Sequence, residues 1–267
     1  MQGADLRGKT GMRIMVYGAA GRMGRELCAY LMREESTDVL VGQVDVRADA
    51  DGILPCLSAV TAEADVIVDF SHPTATSAVL SYACARRIPV VIATTGHTEE
   101  EQAYIRAASA VIPVFYSANL SLGMAFLCEL AGQCAALFPF ADAEIVETHH
   151  AQKADAPSGS ALTLAKTIRA ARAAGQIVMG RTGQGKREAG DIGIHAVRRG
   201  SVIGEHTVYF STPTQTLTFT HTAHSRALFA EGALAAARFL QKKPPALYGM
   251  PDLLTISPTQ NVSGGTQ

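Results

Sequence analysis

The sequence predicts an α/β protein: an N-terminal doubly wound parallel sheet followed by a second, smaller α+β domain on a mixed or antiparallel sheet. Three observations carry that expectation. From Met12 to about Leu130, short β-branched runs alternate with Ala/Leu-rich segments of helical period, as strands joined by crossover helices do. A turn punctuated by three glycines follows the first of these runs. Beyond it all, the chain changes to glycine-rich turns and runs of period two, which suit strands with one wet face.

Taken in order, the strand-like runs of the first part are Arg13–Tyr17, Val39–Val44, Val66–Phe70, Pro89–Ala93 and Val111–Phe115. In Arg22–Arg33, Met23, Leu27 and Leu31 recur every four residues and give a helix one apolar face. "GHTEEE" opens another helix, because Thr98 followed three residues later by Glu101 forms a capping box. In the second part "AEIVETHH" reads as a strand and "SALTLAKTIRAARAAG" as a helix ending on Gly175. Three runs around Ile194–Arg198, His206–Ser211 and Thr216–His221 predict an antiparallel meander. A final helix over Ser225–Gln241 is followed by "KKPPALYGMPDLL", whose prolines make a stiff exit. The expected division is residues 12–128 for the first domain, with 242–267 packing back on it, and 129–241 for the second.

Composition narrows the function. A chain of 267 residues with 48% hydrophobic content can bury a substantial core. A net charge of −1 offers no basic surplus to draw it onto nucleic acid or an anionic membrane, so a small molecule is the expected partner. Five scattered cysteines without a Cys-x-x-Cys pair argue against a disulfide framework or a zinc ribbon and fit a reducing cytoplasm. The N-terminal "MQGADLRGKTG" lacks an apolar core, and the apolar stretch from Met124 to Ala141 is broken by Glu129, Gln133 and Pro139. Neither a signal peptide nor a membrane span is therefore expected.

The first motif is "MVYGAAGRMGRE", which places Gly18, Gly21 and Gly24 between the first strand and the first helix. Such glycines let the backbone approach a pyrophosphate, whose charge is met by the amides at the helix N-terminus. An empty tight turn would need the same glycines. Context favours a nicotinamide dinucleotide, because Asp45 closes the second strand about 20 residues after Gly24, where an acid reaches the adenine ribose. Asp45 opposes a 2′-phosphate and Arg47 favours one, so NADH, NADPH or both are expected. The loop "TGQGKRE" lacks the Ser/Thr and the preceding strand that a triphosphate loop needs.

The second motif is "ETHHAQKADAPSGSA", residues 147–161. His149 and His150 are adjacent on a strand-like run and point to opposite faces, with no i, i+4 histidine and no nearby cysteine, so no metal is expected. Ser158-Gly159-Ser160 begins a helix, where serine caps and the first amides are free to meet an anion. Lys153 and a histidine just upstream add a movable cation and a group that titrates near neutrality. An acid-base pair and a cradle for a small carboxylate both fit this stretch.

The same stretch resembles the E-x-H-H-x-x-K-x-D-A-P-S-G-T-A signature of the dihydrodipicolinate (4-hydroxy-tetrahydrodipicolinate) reductase family. "GAAGRMGRE", "VDFSHP", "ATTG", "SANLSLG", "RRGSVIGEHTV" and "THTAHSR" are similar to family segments, in family order, over nearly the whole chain. The resemblance implies a Rossmann domain for NADH or NADPH and a smaller domain that binds substrate and builds a homotetramer. It implies reduction of a cyclic, imine-like dicarboxylate to tetrahydrodipicolinate in the diaminopimelate/lysine pathway.

By position, the resemblance implies that Gly18, Ala19, Ala20, Gly21, Arg22 and Met23 follow the pyrophosphate, with Asp45 and Val46 at the adenine ribose. Phe70, Ala93, Thr94, Thr95 and the loop Ser117, Ala118, Asn119 and Leu120 would approach the nicotinamide. His149 would be the acid-base group and Lys153 the proton donor. His150, Lys153, Ser158, Gly159, Ser160 and Thr95 would hold the substrate carboxylates. Three positions depart from the family pattern: Ala93 replaces a glycine, Ser160 a threonine, and Leu120 a phenylalanine found in many members.

Two other readings compete. An aspartate-semialdehyde dehydrogenase on the same scaffold needs an activated cysteine near a helix start, whereas Cys128 and Cys134 fall inside a helix. A non-catalytic NADH sensor would need an output surface such as a basic helix, which the sequence does not offer.

Overall fold

A computed structural model describes residues 11–47 and 52–255; the polar N-terminal stretch and the "VSGGTQ" tail lie outside the described residues. The described residues divide into two compact units, one formed by those up to Leu120 and from Phe229 onward and the other by Ser121–Leu228.

The first unit contains β1 (Arg13–Tyr17), α1 (Arg22–Leu31), β2 (Val39–Val44), β3 (Ile53–Leu54) and β4 (Val66–Asp69). It continues through α2 (Thr76–Arg86), β5 (Val90–Ile92), α3 (Glu99–Ser109) and β6 (Pro113–Tyr116). Its seven-stranded sheet has the order β12-β6-β5-β4-β1-β2-β3, with every pair parallel. Strands buried on both faces need continuous apolar runs, and Ile14, Met15, Ile67, Val68, Val90 and Val91 are fully buried. The strand order reverses at β1, which sits between β4 and β2, and the carboxyl ends at such a point are where ligands bind in open α/β sheets.

The second unit contains α4 (Leu122–Leu137), β7 (Asp142–His149), α5 (Gly159–Arg172), β8 (Ile177–Met179), β9 (Ile192–Arg198), β10 (Gly204–Ser211) and β11 (Thr216–Ala223). Its mixed sheet has the order β11-β10-β7-β9-β8. Ala143, Ile145, Ile192, Ile194, Val208 and Phe210 form its inner face and share one core with Leu127, Ala131, Leu164 and Ile168 of α4 and α5.

The expected antiparallel meander is corrected here. Only β10 and β11 form an antiparallel hairpin; β9 does not touch β10 and lies beside β7, parallel to it, from Ala143↔Ile192 to His149↔Arg198. The chain reaches β9 after the crossover helix α5, and period two says only that one face is buried, not which way a neighbour runs.

The last described elements return to the first unit. Helix α6 (Ala227–Leu240) places Gly232 against Leu120, where a Cβ would lie 1.8 Å from the Leu120 carbonyl oxygen. Phe239 of α6 meets Phe115 edge-on at 6.1 Å, and Arg238 pairs with Asp38 at 2.6 Å. These contacts put most of α6 in the first unit, where the sequence reading put it in the second, and move the first break from 128/129 to 120/121. The proline-rich exit contains a short edge strand, β12 (Ala246–Tyr248), paired with β6, and then α7 (Met250–Leu254).

Smaller differences are local. β3, β8 and β12 are two or three residues long and too short to show a period. Helix α5 closes at Ala173, which takes a left-handed conformation (φ 52°), two residues before Gly175. The Thr98/Glu101 capping box forms as read, with the Glu101 amide 3.2 Å from the Thr98 hydroxyl and the Thr98 amide 2.8 Å from the Glu101 carboxylate.

Candidate active site

In the first unit, the glycine turn is pressed against two neighbours. Gly18 has φ +81°, and a Cβ there would lie 2.7 Å from the backbone of Phe70 and Ser71, at the end of β4. A Cβ on Gly24 would lie 2.1 Å from the Gly18 carbonyl oxygen, so only glycine lets α1 start so close to β1. Gly21 caps α1 with no side-chain hydrogen bond, which leaves the first amides of a ten-residue helix for an anion. Backbone amides at a helix start of this kind suit the charge of a dinucleotide pyrophosphate.

Asp45 lies beside that cradle and is buried. Its carboxylate accepts the Ala20 amide at 3.0 Å and the Arg47 amide at 2.9 Å, and the Arg47 guanidinium stands 3.5 Å away. Val46, next in the chain, is 78% exposed and offers an apolar surface there.

The ends of β4, β5 and β6 carry the other loops expected at the cofactor. Asp69 is fully buried at the end of β4; one carboxylate oxygen accepts both the Ser71 amide and its hydroxyl, and the other has no partner. Burial pushes this carboxyl up to about 6. Ala93 donates to the Asp69 carbonyl, Thr94 is buried, and Thr95 is exposed. The Ser117 hydroxyl closes its own loop onto the Asn119 carbonyl at 2.7 Å; Ala118 is exposed, whereas Leu120 is buried at 2% exposure.

His97 was not singled out by the sequence reading, although it follows "ATTG" directly. Its Nε2 lies 2.8 Å from the Thr76 hydroxyl and its Nδ1 3.2 Å from the Tyr116 hydroxyl. One buried imidazole thereby ties the loop after β5 to the start of α2 and to the end of β6, just before Ser117.

The second unit holds the titratable cluster. Residues two apart on a strand share a face, so Glu147 and His149 both point inward from β7. Glu147 is completely buried, with four charge-assisted contacts. Arg198 of β9 forks onto both its oxygens at 2.9 and 2.8 Å, the Ser158 amide donates to one at 3.0 Å, and His149 Nδ1 lies 2.5 Å from the other. Burial raises the Glu147 carboxyl, but Arg198, His149 and Ser158 outweigh it and hold it below its ordinary value.

That carboxylate fixes the tautomer of His149: the Nδ1 proton faces Glu147, which turns Nε2 to the opposite side as the exchanging nitrogen. Burial lowers the His149 pKa, with Glu147 opposing it. A Cβ on Gly204 would lie 3.1 Å from His149 Nε2, so the glycine keeps that nitrogen clear.

Ser158 is buried and caps α5, accepting the Ala161 amide at 3.2 Å. Its own proton is then directed to His206 Nε2, 3.2 Å away. The Ser158 hydroxyl is committed inside the protein, whereas Gly159 is exposed at the start of the helix and Ser160 half-buried. His206 stacks edge-on against His149 at 5.2 Å, and burial followed by the charge of His149 pushes it down to about 4. Lys153 pairs with Asp155 at 2.8 Å on the loop between β7 and α5, and His150 begins that loop, half-buried.

Thus His149, His150, Lys153, Ser158, Gly159 and Ser160 all lie on the end of β7, the start of α5 and the loop between them. The cofactor-side residues, Thr95 among them, belong to the other unit. Glu147, Arg198, Gly204 and His206 were missed as functional residues, although "ETHH" and "RRGSVIGEHTV" contain all four. The signal was the i, i+2 spacing of Glu147 and His149 on one face.

A doubly wound sheet with a dinucleotide cradle, joined to a unit with a carboxylate-oriented histidine and a lysine, defines a pyridine-nucleotide-dependent oxidoreductase. Residues 12–120 match the model of the dihydrodipicolinate reductase N-terminus and residues 123–254 that of its C-terminus, and the chain belongs to the dihydrodipicolinate reductase family. It is 41% identical over 249 residues to a 4-hydroxy-tetrahydrodipicolinate reductase of Alkaliphilus oremlandii, covering 92% of this chain and 99% of the relative. It is also 41% identical over 264 residues to that of Rubrobacter xylanophilus, covering 92% and 100%. A dipicolinate-bound dihydrodipicolinate reductase from Paenisporosarcina sp. TG-14 shares the fold with a TM-score of 0.76 at 24% identity, over 91% of this chain and 100% of that one. An aspartate semialdehyde dehydrogenase II from Vibrio cholerae shares only the scaffold, with a TM-score of 0.50 at 10% identity over 86% and 98% of the chains.

Proposed function

We propose that this chain reduces 4-hydroxy-tetrahydrodipicolinate to tetrahydrodipicolinate with NADH or NADPH, in diaminopimelate and lysine biosynthesis. The observation that carries the reading is the buried Glu147–His149 pair, at 2.5 Å, on the same loop-and-helix platform as Lys153 in a chain of this family. The substrate's 4-hydroxyl would leave as water to give a conjugated ring, and the nicotinamide, when bound, would supply a hydride to C4 of that ring. Each unit carries one reactant.

The chain's own work is binding and proton management. Gly18 to Met23 hold the pyrophosphate on backbone amides, and Asp45 with Val46 takes the adenosine end. Phe70, Ala93, Thr94, Thr95 and Ser117 to Leu120 border the nicotinamide, with Leu120 acting from beneath, since its side chain is buried. Asp45 selects the ribose hydroxyls of NADH and Arg47 accepts the 2′-phosphate of NADPH, so both cofactors serve.

His150, Lys153, Gly159 and Ser160 hold the substrate carboxylates on the second unit, and Ser158 shapes their cradle by capping α5. Negative charge develops toward the ring nitrogen and C3 as hydride arrives. Lys153 neutralises that charge and delivers the proton; a cation that meets charge present mainly in the transition state accelerates the step rather than merely binding substrate. His149, held in one tautomer by Glu147, acts as the acid-base group.

A homotetramer is part of the proposal. The outer face of the five-stranded sheet carries Tyr209, Val197 and the exposed threonines of β11, while α4 and α5 share the core of the inner face. A cytoplasmic location suits the five free thiols, and no helix among the described residues is long and apolar enough to cross a membrane. Against the dehydrogenase alternative, burial pushes Cys128 up to about 11 and raises Cys134, so neither is an activated nucleophile.

The test is oxidation of NADH and NADPH, followed by absorbance, with substrate made in situ from pyruvate and aspartate semialdehyde by the upstream synthase. Turnover that requires the condensation product supports the reading. Tight cofactor binding without turnover would move the protein to a sensor.

A further inference from the structure

The loop between β7 and α5 holds a carboxylate where the proposed reading needs a substrate carboxylate. Lys153 Nζ lies 2.8 Å from Asp155 Oδ1. Lys153 holds the Asp155 carboxyl below its ordinary value, and the Gly159 N–H at the first turn of α5 adds to this in the same sense. Lys153 and Gly159 are two of the groups assigned to the substrate. The donors that would meet an incoming carboxylate are thus met by an internal one.

The arrangement is built rather than incidental. Arg198, already forked onto Glu147, also donates to the Asp155 carbonyl at 2.5 Å, which holds this backbone against the sheet. Ser158 is fastened from both sides by Glu147 and His206, which fixes the start of α5 three residues on. With both ends anchored, the Asp155 side chain alone, 56% exposed, is free to leave by rotation without disturbing either.

We infer that Asp155 is an internal stand-in for the substrate carboxylate: it occupies the Lys153–Gly159 cradle in the ligand-free protein and sets affinity by being displaced. The inference rests on the proposed reading of that cradle. An internal competitor lowers apparent affinity by the fraction of molecules in which the cradle is open. Because the pair is half-exposed, the closed form is favoured only modestly, and the expected effect is about threefold to fivefold. In exchange, the ammonium is held in place before substrate arrives.

The test titrates pyridine-2,6-dicarboxylate, a planar dicarboxylate, into the NADH-saturated wild type, Asp155→Asn and Asp155→Ser. Unchanged NADH affinity reports that each variant is folded. Displacement predicts that both variants bind the dicarboxylate about threefold to fivefold more tightly, and that KM for the substrate falls without a rise in kcat. Equal or weaker binding by the variants, with the wild type binding normally, would overturn the role of Asp155, because a residue that merely supports Lys153 weakens binding when lost. No binding by any of the three proteins would overturn the underlying substrate reading and the inference with it.

Discussion

Glu147 Oε2 and His149 Nδ1 lie 2.5 Å apart at the buried end of β7, and both are positioned before any ligand is present. The carboxylate is locked by Arg198 and Ser158, so the histidine inherits its orientation from two other elements, β9 and the cap of α5. Glu147→Gln keeps the shape but removes the charge. We expect kcat to fall about a hundredfold, as loss of an orienting partner commonly does, with NADH affinity unchanged. Glu147 raises the His149 pKa, so in the variant the acidic limb of the kcat/KM profile shifts to lower pH. An unshifted limb would assign that limb to another group.

Asp45, the acid proposed to read the ribose, also braces the turn, since it accepts the Ala20 amide. Asp45→Ala therefore weakens both cofactors, but NADH more than NADPH, because only NADH loses the ribose contact while Arg47 is freed for a phosphate. Dissociation constants for the two cofactors check this; equal losses would place the ribose acid elsewhere.

His97 binds two hydroxyls at once, and nothing apolar can replace both bonds. In His97→Phe the loops after β5 and β6 lose their common anchor, so NADH should bind about tenfold more weakly, the worth of one or two net hydrogen bonds. ADP-ribose, which lacks the nicotinamide, should bind as before. Parallel losses for the two ligands would mean that His97 supports the whole unit.

His206 is neutral in the fold, with its pKa pushed down to about 4 from an ordinary value of 6.5. Between those values the unfolded chain binds the proton and the native protein does not, so this residue's contribution is complete above pH 6.5 and is lost as pH falls through that window to 4. The loss is about 3 kcal/mol at order of magnitude. Asp69, raised to about 6, acts in the opposite sense, so the comparison must be between wild type and His206→Gln. Urea unfolding at pH 7 and pH 5 should show the wild type losing more stability than the variant. Parallel losses would contradict a neutral buried His206.

Much of this was legible in the chain. The runs Arg13–Tyr17 and Val39–Val44 and the Thr98/Glu101 box formed as read, because β-branched burial on both faces and reciprocal capping are local signals. The position of β9 was not legible, since alternation in "GIHAV" is the same for a parallel or an antiparallel neighbour. The placement of α6 depends on pairs more than a hundred residues apart in sequence: Gly232 against the Leu120 carbonyl, Phe239 against Phe115 and Arg238 with Asp38. In the candidate site, "HHAQK" put His149 and Lys153 forward as candidates, whereas Arg198 and His206 reach the cluster only through strand pairing: Glu147↔Ala196 sets β9 beside it and His206↔Glu147 sets β10.

The most direct measurement compares wild type with Lys153→Ala in steady-state oxidation of NADH and NADPH, with the condensation product of pyruvate and aspartate semialdehyde as substrate and cofactor affinity measured in parallel. Rapid turnover by the wild type that stops when the product is withheld is expected, with a kcat lower by at least about a hundredfold in the variant and NADH affinity nearly unchanged. Full turnover by the variant, or none by the wild type while NADH binds tightly, would contradict the proposed function.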